Sequence, residues 1–110
     1  MAVNENYQLE AERAIESRLS QLRQLTYQEA ATLMPPQGES LILSDVPCKV
    51  WVYVQRDARL PLPKDAVLVT VQIARQRLWG TMSWHERGLV FLPHGEVRAA
   101  TDIELRDSGG

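Results

Sequence analysis

The sequence predicts an α+β domain: an N-terminal helix plus a short second helix packed on a curved antiparallel meander sheet of four or five strands. Three observations carry this reading. Ala11, Ile15, Leu19 and Leu22 recur at helical spacing, so they share one stripe of an amphipathic helix. After Gly38 the apolar period changes to two, with Val50, Val52 and Val54 on one parity and Val67, Val69, Val71 and Ile73 on another run. Short polar, glycine-bearing intervals then separate the later apolar runs, as in antiparallel hairpins.

The first helix is expected over Glu5 to Leu25, with Asn4 or Asn6 as cap and early glutamates favourable to the helix dipole. Thr26-Tyr27-Gln28-Glu29 has capping-box spacing and starts a second helix over Tyr27 to Leu33, which Pro35-Pro36 stops. Ser40 to Ser44 reads as a first strand, Asp45-Val46-Pro47 as a turn, and Cys48 to Gln55 as a second strand. In that strand Trp51 and Tyr53 face away from the valines. Large residues on both of its faces predict a central strand, or one with its second face covered.

Asp57 to Asp65, with Pro61 and Pro63, reads as a loop. Ala66 to Trp84 reads as one long bent strand. Its apolar parity flips near Arg75-Gln76-Arg77, from odd to the even positions Leu78, Met82 and Trp84, which demands a bulge or a turn. His85-Glu86-Arg87-Gly88 and Pro93-His94-Gly95-Glu96 read as turns around Leu89 to Leu92, followed by a last strand over Val97 to Ala100. Thr101-Asp102-Ile103-Glu104 has capping-box spacing for a final helical turn. One domain over 1–110 is expected, with its ordered core at about 5–106 and residues 107–110 a loose tail.

Composition is that of an ordinary globular chain, 45% hydrophobic and 24% charged, with net charge −2. That total gives no bulk attraction to nucleic acid or to an anionic membrane. Its distribution is uneven: residues 1–46 sum to −4 and residues 47–110 to +2. The one cysteine, Cys48, excludes an intramolecular disulfide and a cysteine-based metal cluster. It reads as a small buried or half-buried thiol, since adjacent Lys49 points to the other side of a strand. The N-terminus lacks the basic start and apolar run of a signal peptide, and no apolar run is long enough to cross a bilayer. A cytoplasmic setting is therefore expected. The excess of arginine over lysine points to a bacterial, GC-rich coding sequence.

No catalytic or cofactor motif is present, so a non-enzyme without cofactor or metal is expected. His85 and His94 fall in the expected turns without the spacing of a metal site. Ser83, His85 and Glu86 stand too close along one strand to converge as a triad. The glycines have neither dinucleotide-binding nor Walker spacing. Gly109-Gly110 resembles the diglycine tail of ubiquitin-like modifiers over those two residues alone. Such modifiers open with a hairpin, whereas this chain opens with a helix.

The candidate interaction surface is Trp51, Tyr53, Trp79, Trp84, Arg75 and Arg77, aromatics and arginines on strands. It implies a small non-catalytic protein acting through protein association, accessory or immunity-like, with a homodimer as one form. The alternatives are a small-molecule-binding protein or minor enzyme using Trp79, Trp84, His85 and Arg77 on the concave face, and single-stranded nucleic-acid binding through the arginine–aromatic strands.

Overall fold

The computed structural model describes residues 2–34, 38–43, 46–56, 62–76 and 82–107. Among these, three helices and five strands follow in the order α1 (Ala2–Leu22), α2 (Tyr27–Ala31), β1 (Glu39–Leu43), β2 (Val46–Gln55), β3 (Val67–Gln76), β4 (Met82–Phe91), β5 (Val97–Ala99) and α3 (Asp102–Asp107). The strands form one antiparallel meander in chain order. The α+β architecture is therefore the expected one, with five strands.

Helix α1 lies across one sheet face because its stripe of Tyr7, Ala11, Ile15 and Leu19 has to leave water. Val50, Val67, Val69, Val71, Ile73, Leu89 and Phe91 meet it from the strands and complete the main core. The helix begins earlier than expected and ends at Leu22. Leu25 instead closes a turn onto the Leu22 carbonyl and packs at the core margin. Helix α2 starts as its capping box requires: Glu29 N–H donates to Thr26 Oγ1 at 3.1 Å, and Thr26 N–H donates to Glu29 Oε1 at 2.8 Å. At its other end the Arg56 guanidinium donates to the carbonyls of Ala31 and Leu33, satisfying acceptors that a helix terminus leaves open.

The long bent strand is in fact a hairpin. β3 and β4 pair over ten rungs, from Val67↔Phe91 to Gln76↔Met82. The parity flip is therefore a reversal of the chain rather than a bulge; residues 77–81 at that reversal lie outside the described residues. His85-Glu86-Arg87-Gly88 is likewise no turn but the middle of β4, because the continuous ladder to β3 outweighs the local turn signal. Gly88 has a packing reason to be there. A Cβ would stand 2.9 Å from Leu105 Cδ2 and 3.2 Å from Leu68 Cδ1, so its bareness lets α3 sit down on the sheet.

The expected turn at Asp45-Val46-Pro47 is corrected too, since Val46 and Pro47 open β2. Pro47 pairs only with Ile42, and the β2–β3 ladder starts at Cys48, so its missing N–H removes no rung there. Strand β1 runs one residue earlier than expected. Pro35, Pro36, Ser44, Asp45 and most of the expected loop at 57–65 lie outside the described residues. The turn at Pro93-His94-Gly95-Glu96 is present, with Gly95 at φ 105° and its N–H donating to Leu92 O. The last capping box is also formed, between Thr101 and Glu104.

Candidate binding face

Strand alternation divides the sheet residues between two environments. Cys48, Val50, Val52 and Val54 of β2 align across the register with Arg75, Ile73, Val71 and Val69 of β3, all on the face that α1 covers. Lys49, Trp51, Tyr53 and Gln55 align with Ala74, Gln72, Thr70 and Leu68 on the second face. Among the described residues that second face is covered over one end only. There Leu62, Ala66, Leu68, Val90, Leu92 and Leu105 form a separate small core under α3.

The other end has no covering element among the described residues. Tyr53 is 49% exposed and Ile42 is 70% exposed, values that mark side chains left in water. Trp51 is half-buried because its indole leans over the start of β1. A Cβ at Gly38 would stand only 2.6 Å from the Trp51 ring, so glycine provides the room in which the indole lies. The Lys49 ammonium stands 5.9 Å from that ring's centroid. Between them opens a cavity of about 500 Å³, lined by Ser40, Ile42, Pro47, Lys49, Trp51 and Ala74 among others. A mainly apolar concavity of this size, with few polar groups, is the usual form of a ligand or partner site.

Of the six residues singled out in the sequence, Arg75 does not share a face with Trp51 and Tyr53. Trp51 and Tyr53 share the open face. Arg75 points the opposite way, beneath α1, with its guanidinium 4.2 Å from the Tyr7 ring centroid. Trp84 belongs to β4 at the rung of Ala74, and its side chain lies outside the description. Arg77 and Trp79 lie outside the described residues. Ile42, Lys49, Ser40 and Gly38 are additions to the site. Lys49 was legible from its period-two spacing to Trp51, whereas Ile42 became recognisable only once α1 had chosen the other face.

Compared with known proteins, the chain matches no family model, no curated protein and no solved structure.

A second cluster sits on the covered face, where Tyr7, Cys48, Arg75 and His85 converge below α1. The Tyr7 and His85 rings are 5.7 Å apart and tilted by 53°. Burial pushes the Cys48 thiol up from its ordinary value, against the smaller opposing effects of Tyr7, Arg75 and the Leu43 backbone. A thiol held protonated is a poor nucleophile and a poor metal ligand. His85 is thus a packing neighbour on a strand, not the turn residue expected. His94 does lie in its turn, 3.3 Å from Glu96. Among the described residues no group of three His, Cys, Asp or Glu side chains could hold a metal. Among them, too, no helix is long and apolar enough to cross a membrane.

Proposed function

We propose that this protein is a non-catalytic association module that works as a homodimer inside the cell. The observation that carries the reading is the second face, half-bare among the described residues, ending at an exposed Ile42 on edge strand β1. One end of that face has its own small core, so the bareness of the other end is selective. Exposed apolar surface of this kind serves association.

A second copy is the partner that β1 fits. The strand is Glu39-Ser40-Leu41-Ile42-Leu43, with no proline, lysine or bulge to blunt its outer edge. Antiparallel pairing about a two-fold axis at Leu41 would set Leu41 against itself, Ser40 against Ile42 and Glu39 against Leu43. The only charge, Glu39, is already bonded to Arg18 of its own chain and would meet no like charge. Alternation would also make both sheet faces continuous across the seam.

The nucleic-acid alternative loses support, because Arg75 is drawn away from Trp51 and Tyr53. The small-molecule alternative draws on the cavity beside Trp51.

The test is sedimentation equilibrium of the full chain and of Ile42→Lys, a change at an exposed position. The reading expects a concentration-dependent dimer, with dissociation at least about tenfold easier in Ile42→Lys at unchanged melting temperature. A monomer at every concentration, or a dimer indifferent to the substitution, overturns it.

A further inference from the structure

Beyond self-association, and independently of it, we propose that the cavity beside Trp51 binds a flat aromatic anion of the arenecarboxylate class. The argument starts from charge. Lys49 stands at the cavity with its ammonium over the Trp51 ring, and among the described residues it pairs with no carboxylate. Among the described residues no acidic side chain lines the cavity. Glu39 is turned to the α1 side and held by Arg18. Glu86 shares the rung of Gln72 and Trp51, two strands from β2 and therefore about 10 Å across the sheet. Among the described residues, the local charge available to a bound molecule is thus a single uncompensated cation.

Shape supplies the rest. The indole offers a π face for stacking, and Ile42, Pro47 and the Ala74 methyl offer apolar walls. Gly38 is what keeps the indole laid back over β1, since any side chain there would collide with it. The volume of about 500 Å³ admits a bicyclic arene with its carboxylate beside Lys49. A cation would meet Lys49 repulsion, and a neutral arene would leave Lys49 unpaired. The arrangement therefore selects for negative charge as well as flatness.

The test compares 2-naphthoate with its neutral isostere 2-naphthamide by amide NMR titration of the full chain. Saturable shifts are expected at Ser40, Ile42, Lys49, Ala74 and the Trp51 indole N–H, with naphthoate bound about fivefold more tightly than naphthamide. Lys49→Met, a change at an exposed strand position, should remove that preference, while Lys64→Met should leave it intact. Shifts that fail to saturate, shifts centred elsewhere, or equal affinity for the two probes would each overturn the proposal. The Lys49→Met readout lies on β2 rather than on the outer edge of β1, so failure of this proposal and failure of the dimer are distinguishable.

Discussion

Trp51 and Gly38 occupy complementary space: the indole lies where a Gly38 side chain would be, with a virtual Cβ only 2.6 Å from the ring. Gly38 stands just before β1, and Trp51 stands in β2. The pair therefore ties the entry of the edge strand to the wall of the cavity.

Gly38→Ala should force the indole off β1 and destabilise the fold by about 1–3 kcal/mol, the cost of overpacking a close contact. In a Trp51→Ala background the same alanine should cost almost nothing, because no ring is left to strike. Urea unfolding of the four proteins measures that coupling. Additive losses in the double variant would mean that the two residues do not share this space.

Arg98 and Glu104 anchor α3 to the sheet. The guanidinium donates two parallel bonds, at 2.8 and 2.7 Å, to a carboxylate that is 4% exposed and also accepts from Thr101 N–H. The Arg98 bonds lead in holding the Glu104 carboxyl down from 4.5 to about 2. Because the folded pKa lies below the unfolded one, the contribution to stability is complete above pH 4.5 and fades as pH falls toward about 2. Glu104→Gln should cost about 2 kcal/mol near neutrality and flatten the acid limb of stability against pH. Urea midpoints measured across that window decide the matter; an unchanged limb in Glu104→Gln would exclude this pair as its source.

Cys48 should be slow to react despite standing across the ladder from Arg75. It is 5% exposed, and burial raises its pKa more strongly than Tyr7 and Arg75 lower it. A disulfide-exchange reagent at mildly alkaline pH should modify the folded protein about 100-fold more slowly than the urea-unfolded chain. A raised folded pKa also means that stability is lost as pH rises past the unfolded thiol's titration. Cys48→Ala should remove that part of the alkaline loss. Fast modification of the folded protein would show that Arg75, not burial, governs the thiol.

The sequence by itself determined the local structure wherever the deciding interaction spans a few residues. Both capping boxes, at Thr26–Glu29 and Thr101–Glu104, formed as spaced, because each closes its bonds within one helical turn. Period-two alternation likewise assigned Trp51 and Tyr53 to the side opposite Val50, Val52 and Val54. Tertiary structure decided what alternation leaves open. The parity flip after Ile73 was visible, but only the ten-rung pairing with β4 distinguishes a reversal from a bend, and that ladder carried His85 to Gly88 through as strand. Which face α1 would cover depended on the whole sheet's apolar area. That choice drew Arg75 against the Tyr7 ring, and left Tyr53 in water and Ile42, Lys49 and Trp51 around an open cavity. Side-chain parity is a local property of the backbone, whereas burial is settled by long-range packing.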